Sequence, residues 1–315
     1  MSRVRARIAA RGCVLQPCAN LPAAIARARG DNARPGRARV SRIGRGIHLS
    51  GQVSIPQGGN AVPPATDTQA PDPRLRLLDG RNAFVTGGGR GLGAAICREL
   101  ARAGAAVVVA DRDAANAERV AAELVQLGAR SGAQALDVAD DSSVRRALQG
   151  AQQTLGRVDI VINNAAIDIT APIDEIDAEA WHRVLMTNLY GPYLVSRAVV
   201  PSMKAHGGGH IVNIASTASK RAWPNASAYH ATKWGLLGLS HALHAELRPA
   251  GIGVSAIVAG GMRTPFLLDR FPEIDVETLQ APENVAAAVR FVLTQPPGTV
   301  VPELMVLPTG ETSWP

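Results

Sequence analysis

Three side chains in the second half of the sequence belong to residue types that together can move a proton. Tyr229 and Lys233 are four residues apart in a stretch with helical periodicity, so both side chains lie on one face of the predicted helix. A tyrosine has an ordinary pKa of about 10, and a nearby ammonium group lowers it by favouring the phenolate. Ser216 precedes Tyr229 by thirteen residues. The tyrosine and lysine could carry out proton transfer as a general acid/base, but the same spacing also occurs in solvated pairs on exposed helices.

A glycine-rich segment follows the first apolar run of the regularly patterned part of the chain. Residues 84–93 are Phe-Val-Thr-Gly-Gly-Gly-Arg-Gly-Leu-Gly. Glycines allow a tight turn and let the backbone approach a pyrophosphate, and the helix that follows offers its N-terminal N–H groups and the positive end of its dipole. We therefore predict a dinucleotide-binding turn whose contacts come from Gly87, Arg90, Gly91, Leu92 and Gly93.

An acidic residue ends the second predicted strand. Asp111 stands where a carboxylate can accept hydrogen bonds from the adenosine ribose hydroxyls, roughly 20 residues beyond the glycines. Its negative charge would repel the additional 2′-phosphate of NADP, which favours NAD as the cofactor. Arg90 and Arg112 favour NADP instead, because either guanidinium can pair with that phosphate. The position of Asp111 at the strand end is the more specific feature, so we predict NAD and rank NADP second.

The elements that must position these residues alternate along the chain from residue 81 onward. Seven short apolar runs are predicted as strands: 83–86, 106–110, 133–136, 160–163, 210–214, 253–258 and 304–307. Six stretches between them are predicted as helices: 91–103, 113–128, 140–155, 177–204, 227–249 and 282–294. This alternation predicts a parallel sheet with helical crossovers on both faces. Residues 76–315 are thus expected to form a single doubly wound, Rossmann-like α/β domain with a seven-stranded parallel sheet.

Residues 1–75 have a different composition, rich in Arg, Pro and Gly and without sustained periodicity. Residues 1–80 contain 13 Arg, 4 Asp and no Lys or Glu, so the chain's formal net charge of +7 arises there and the remainder is slightly acidic. We predict a disordered extension. An organelle transit peptide and a nucleic-acid-binding arm remain alternatives, the first because residues 1–30 contain Arg and no acid.

The overall composition bounds the class of protein. Hydrophobic residues make up 46% and charged residues 19% of the chain, as in ordinary globular proteins. The three cysteines, Cys13, Cys18 and Cys97, suggest neither a disulfide framework nor a metal site, and Cys97 is expected to be an inert core thiol. No apolar run reaches the roughly 18 to 20 residues that span a bilayer. We expect a cytoplasmic protein, with organelle targeting by residues 1–75 left open, and no membrane or nucleic-acid partner.

Taken jointly, the motifs resemble those of the short-chain dehydrogenase/reductase family, from about Leu78 to Leu307. Residues 86–93 match its T-G-x-x-x-G-x-G turn, and residues 163–166, Asn-Asn-Ala-Ala, match N-N-A-G. The spacing from Ser216 to Tyr229 is that of the family, and Asn188 falls at its fourth catalytic position.

The resemblance implies a role for each reacting group. Tyr229 would exchange the proton of the substrate oxygen, while Ser216 would hydrogen-bond the same oxygen. Lys233 would lower the tyrosine pKa and hold the nicotinamide ribose. Asn188 would anchor a water that links Lys233 to solvent.

The resemblance also implies further cofactor contacts. These are to the adenine from Asp137 and Val138, to the adenosine side of the cleft from Asn164, and to the carboxamide from Met262 and Thr264. Two residues depart from the family pattern, because Ala166 replaces the glycine of N-N-A-G and Ala259 replaces the proline before Gly260. Neither change removes a reacting group.

The predicted function is that of an oxidoreductase that transfers a hydride between NAD(H) and a secondary alcohol or ketone. Residues 265–282 are predicted to lie over a partly apolar, small-molecule substrate, with Trp223, His230 and Ile167 near the same cleft. The long predicted helices 177–204 and 227–249 are expected to pair in a homodimer or homotetramer. The alternative is a catalytically idle dinucleotide-binding sensor or scaffold.

Overall fold

A seven-stranded parallel sheet forms the centre of the computed structural model, which describes residues 76–311. Its strands are β1 (Asn82–Thr86), β2 (Ala106–Asp111), β3 (Ser131–Ala135), β4 (Ile160–Asn163), β5 (Gly209–Ser216), β6 (Ile252–Ala259) and β7 (Glu303–Val306). Their order across the sheet is β3-β2-β1-β4-β5-β6-β7. The predicted α/β class and doubly wound, Rossmann-like sheet are confirmed. The predicted third strand, 133–136, is misplaced, because β3 begins two residues earlier and leaves Leu136 in the loop.

Helices cover both faces of this sheet. They are α1 (Gly91–Arg102), α2 (Ala114–Gln126), α3 (Asp141–Leu155), α4 (Ala178–Leu185), α5 (Gly191–Ala205), α6 (Ser227–Leu247), α7 (Pro265–Leu268) and α8 (Pro282–Leu293). The prediction of one continuous α-helix over 177–204 is wrong. The chain stays helical, but a π-helical turn at Met186–Tyr190 separates α4 from α5. Such turns widen the helix by one residue and are frequent at functional sites.

Alternate strand residues supply the two cores. Val107 and Val109 of β2 belong to one buried cluster, and Val108 between them belongs to the other. Both faces of the strand are therefore covered, as the unbroken apolar run predicted. Cys97 lies in the first cluster, where burial raises the pKa of its thiol, which fits the expected inert core cysteine.

The strand order reverses direction between β1 and β4, which are neighbours in the sheet. The Thr86 hydroxyl at the end of β1 donates to the carbonyl of Ile162 at 3.2 Å and accepts from the N–H groups of Asn164 and Ala165 at 3.0 and 3.1 Å. One side chain thus fixes the carboxyl ends of both central strands. In doubly wound sheets a crevice opens at this point of reversal.

Residues 76–311 contain neither a membrane-spanning helix nor a cluster of metal-ligating side chains. No helix in that range is long and apolar enough to cross a membrane. Within the same range, no three His, Cys, Asp or Glu side chains lie close enough together to hold a metal ion. The predicted extension over 1–75, with Cys13 and Cys18, lies outside the residues that the structure describes.

A buried histidine on β5 faces the neighbouring strand. His210 Nε2 lies 2.8 Å from the Ser255 hydroxyl, which itself donates to the Val301 carbonyl at 2.7 Å. Because the hydroxyl has only one proton, the ring nitrogen must be the donor in the first contact. Burial is the main reason that the pKa of His210 is lowered to about 4.

This lowered pKa predicts acid sensitivity. Between pH 6.5 and 4 the unfolded chain binds a proton on residue 210 and the folded chain does not, so the free energy of unfolding decreases as pH falls through that window, by about 3 kcal/mol in all. In His210→Gln this part of the pH dependence should vanish, because the amide can still donate to Ser255 but does not titrate. Urea unfolding from pH 7 to 4 measures it. The exposed His206→Gln is the control, and equal slopes in wild type and His210→Gln would contradict the assignment.

Candidate active site

The predicted reacting groups meet where β5 ends and α6 begins. Ser216 is the last residue of β5, and Tyr229 and Lys233 lie about one turn apart on α6, both buried. The Ser216 side chain lies close enough to the Tyr229 phenol to lower its pKa. The Lys233 ammonium lies 5.5 Å from the centre of the Tyr229 ring and donates to the Ile214 carbonyl at 2.8 Å. The structure therefore brings together the three groups identified by their spacing.

Burial has the largest effect on the pKa values of Tyr229 and Lys233. It raises the pKa of Tyr229 to about 12, opposed by the nearby Ser216 side chain, and lowers the pKa of Lys233 to about 8. The carboxylate of Asp168 acts on both residues and raises both pKa values. The sequence-based expectation of a lowered tyrosine pKa is wrong for the protein alone, because the lysine ammonium is directed to a carbonyl and the cost of burying a phenolate is larger.

Asn188 occupies the π-helical turn and is almost completely buried. Its side-chain oxygen accepts from the N–H of Ile167 at 2.8 Å, and its amide donates to the carbonyl of the same residue at 2.7 Å. The amide also reaches the Thr232 hydroxyl on α6 at 3.3 Å. Asn188 thus ties the loop after β4 to the helix that holds Tyr229 and Lys233.

The glycine-rich turn has the shape that a diphosphate requires. Gly87 and Gly91 have φ angles of +63° and +53°, which side chains with a Cβ rarely adopt. A Cβ on Gly93 would lie 2.0 Å from the Gly87 carbonyl oxygen. No side chain caps the N-terminus of α1, so the N–H groups of its first turn are free of a capping competitor. These features fit an anion seated against the helix end.

Asp111 is the last residue of β2, and its carboxylate is held in place by backbone N–H groups. Its two oxygens accept from the N–H groups of Gly89 at 2.9 Å and Asp113 at 3.0 Å. Arg90, one of the two residues that favour a 2′-phosphate, lies 3.7 Å from the Asp269 carboxylate, and both side chains are largely exposed.

The other predicted contact residues take up defined positions. The Asn164 amide donates to the carbonyls of Thr86 and Gly87 at 3.0 and 2.9 Å, so it stabilises the glycine turn directly. Thr264 is buried beside Gly91, and its N–H donates to the Met262 carbonyl at 2.8 Å.

One cavity of about 1010 Å³ connects these positions. It is lined by fourteen of the fifteen predicted site residues: Gly87, Arg90, Gly91, Leu92, Gly93, Asp111, Asp137, Val138, Asn164, Ser216, Tyr229, Lys233, Met262 and Thr264. The exception is Asn188, which lies behind the cavity wall and acts on it through Ile167. Ala166 and Ala259, the two departures from the family pattern, also line it, so neither substitution closes the space.

His230, next to Tyr229, has a structural role. Its Nδ1 lies 3.0 Å from the Ala218 carbonyl, and its Nε2 accepts from the N–H of Trp223 at 3.1 Å. The Trp223 ring packs edge-on against it with centroids 4.3 Å apart. The histidine therefore orients an aromatic side chain of the cavity wall.

Asp168 and Arg270 line the cavity but were not predicted as site residues. Asp168, whose side chain is only 6% exposed, forms an ion pair with Arg270, which follows α7. Asp168 could have been noticed, since it is an acid in the loop after a buried strand, where parallel sheets place functional groups. Arg270 lies 102 positions further on, inside the segment 265–282 that was expected to lie over the substrate, but no motif marks the residue itself.

Comparison with known proteins agrees with this site. Residues 81–274 match the short chain dehydrogenase family, and the chain belongs to that family. Over 183 residues it is 41% identical to D-threitol dehydrogenase of Mycolicibacterium smegmatis, covering 57% of this chain and 69% of that protein.

Solved structures with the same fold include complexes with either nicotinamide cofactor. A metagenomic short-chain oxidoreductase in complex with NADP has a TM-score of 0.66 and 33% identity, over 74% of this chain and 99% of that one. A 3-ketoacyl-(acyl-carrier-protein) reductase from Brucella melitensis complexed with NADH has a TM-score of 0.69 and 34% identity, with the same coverage.

Proposed function

We propose that this protein is an oxidoreductase that transfers a hydride between NAD(H) and a secondary alcohol or ketone, with Tyr229 as general acid/base. The observation behind the proposal is the placement of Ser216, Tyr229 and Lys233 in the cavity that also contains the glycine turn. Family membership and a relative named as a dehydrogenase of a polyol support the same reaction class.

The proposed roles follow from the positions of the side chains. Tyr229 would donate its phenolic proton to the carbonyl oxygen in reduction and remove the alcohol proton in oxidation. Ser216, which lies beside the phenol, would donate to the same substrate oxygen as charge develops on it. Lys233 would hold a ribose hydroxyl and favour the phenolate. A bound nicotinamide supplies the hydride or accepts it, and in its oxidised form adds a positive charge near the phenol.

The cofactor preference proposed for the enzyme is NAD over NADP. The Asp111 carboxylate is fixed by two backbone N–H groups, so it cannot easily turn away from a 2′-phosphate. Each of its oxygens retains acceptor capacity for a ribose hydroxyl. Arg90 is paired with Asp269, which reduces its availability for a phosphate.

This arrangement predicts a measurable cofactor selectivity. The wild-type enzyme should have a higher kcat/KM for NAD than for NADP, and Asp111→Ala should narrow that ratio about five- to thirtyfold, since one like-charge repulsion is worth on the order of 1 to 2 kcal/mol. Asp113→Ala serves as the control acid two residues further on. A higher kcat/KM for NADP in the wild type would contradict the proposal.

Self-association is proposed from exposed aromatic side chains. Tyr190 and Tyr193 are stacked with centroids 5.6 Å apart, and Trp234 on α6 is 53% exposed. Aromatic residues are enriched in protein interfaces. We expect a dimer or tetramer at micromolar concentration by sedimentation velocity and a shift toward monomer in Trp234→Asp. A wild-type monomer would overturn the proposal.

The decisive experiment is the substitution of Tyr229 by phenylalanine, which removes only the phenolic oxygen. Tyr229→Phe should fold and bind NADH like the wild type, while kcat falls by at least about a hundredfold, as expected for loss of a positioned proton donor. A screen of alcohols and ketones followed by NADH absorbance measures turnover, and NADH fluorescence measures binding. Tyr193→Phe, exposed on α5, is the matched control and should keep wild-type turnover. Near-normal kcat in Tyr229→Phe would reject the assignment, and NADH binding without turnover in the wild type would favour the idle sensor.

A further inference from the structure

The ion pair between Asp168 and Arg270 is incompletely satisfied. One carboxylate oxygen of Asp168, Oδ2, contacts Arg270 Nη1, whereas its Oδ1 has no hydrogen-bond partner and is shielded from water. Arg270 Nη1 is buried as well and makes no hydrogen bond of acceptable geometry. Both residues line the cavity, and each has hydrogen-bonding capacity that no protein group uses. Buried polar groups left in this condition are rare in folded proteins.

Neighbouring contacts hold this pair in a defined place. Arg270 Nε donates to the Phe266 carbonyl at 2.9 Å, which sets the guanidinium 4.3 Å above the centre of the Phe266 ring. The other neighbour of that ring is Tyr229, with centroids 5.9 Å apart. On the opposite side, Asp168 follows Ile167, whose backbone is fixed by Asn188. The pair is thus positioned from two sides, close to the reacting phenol.

The two unused groups require a ligand group that can both donate and accept a hydrogen bond. An ammonium has only donors and a carboxylate only acceptors, so each would satisfy one member of the pair and oppose the other. A hydroxyl group can donate to Asp168 Oδ1 and accept from Arg270 Nη1 at the same time. A pair with no net charge also gives no general attraction for an ion.

We infer that Asp168 and Arg270 form a subsite for a second hydroxyl group of the substrate, so that the enzyme prefers diols, polyols and hydroxy ketones to the corresponding mono-alcohols and simple ketones. The preference in turnover rests on the proposed oxidoreductase function, whereas the binding of a hydroxyl group at the ion pair does not. A substrate without that hydroxyl leaves the buried pair unsatisfied, which corresponds to a loss on the order of tenfold to a hundredfold.

The test compares matched ligands in matched proteins. Butane-2,3-diol is compared with butan-2-ol, and cyclohexane-1,2-diol with cyclohexanol, in wild type, Asp168→Asn and the exposed control Asp174→Asn. The asparagine keeps the shape of the side chain, but its oxygen must face Arg270, so its amide presents a donor in place of the acceptor. We expect kcat/KM with NAD to favour each diol by at least tenfold in wild type and Asp174→Asn, and by less than threefold in Asp168→Asn.

Binding is measured separately from turnover. Each ligand is added to NAD-saturated Tyr229→Phe protein, with and without Asp168→Asn, and the rise in melting temperature is recorded, with circular dichroism to show that each variant is folded. Arg270→Gln, which removes the charge from the other partner, should lose the diol preference as Asp168→Asn does. The expected result is stabilisation by the diols only, and only with Asp168 intact.

The outcomes separate the two proposals. Turnover with equal efficiency for diol and mono-alcohol in the wild type would reject the subsite and keep the oxidoreductase. Diol-selective stabilisation that depends on Asp168, without turnover of any alcohol, would keep the subsite and reject the oxidoreductase. A diol preference that survives Asp168→Asn would overturn the inference, as would the absence of any selective stabilisation.

Discussion

The hydroxyl group of Thr86 sits where the sheet changes direction, and most of the candidate site is arranged around it. It accepts two N–H groups from the start of the loop after β4 and donates to the end of that strand. The loop begins there and continues to Asp168, while the glycine turn leaves β1 from the adjacent residue. Two segments that could diverge freely are therefore held at a fixed separation. On the side of the glycine turn, the crevice between them has little side-chain bulk, which suits the close approach of a pyrophosphate.

A second constraint is the cost of placing charge in this crevice. Tyr229 and Lys233 are both buried, and burial moves their pKa values in opposite directions, each toward the neutral form. Asp168 and Arg270 bring opposite charges to the same wall and act on the phenol with opposite sign. The protein alone thus keeps the proton on the tyrosine, which is the state that the proposed reduction requires. Only the proposed oxidation depends on the positive charge that the oxidised cofactor would bring.

Much of this arrangement could be predicted because it depends on local pattern. The apolar run of β2, the glycine turn and the four-residue spacing of Tyr229 and Lys233 each determine their own structure, and the parallel sheet then brings their ends to one edge. The predicted bounds of the third strand were wrong because β3 is an edge strand with half-buried side chains. It begins with Ser-Gly, two residues of weak strand propensity. The pairing of Asp168 with Arg270 depends on tertiary structure alone, and the tyrosine pKa depends on burial, which no spacing reveals.

The π-helical turn at Met186–Tyr190 has a consequence for how this chain can be compared and altered. A π turn accommodates one residue more than an α-helix would between the same two ends. Removing one residue there would therefore give a regular α-helix whose two ends keep their positions. The change would fall on the turn itself, which contains Asn188. Sequence alignments across this region should therefore place any single-residue gap within the turn, and swapped helices from relatives will function only if they contain the extra residue.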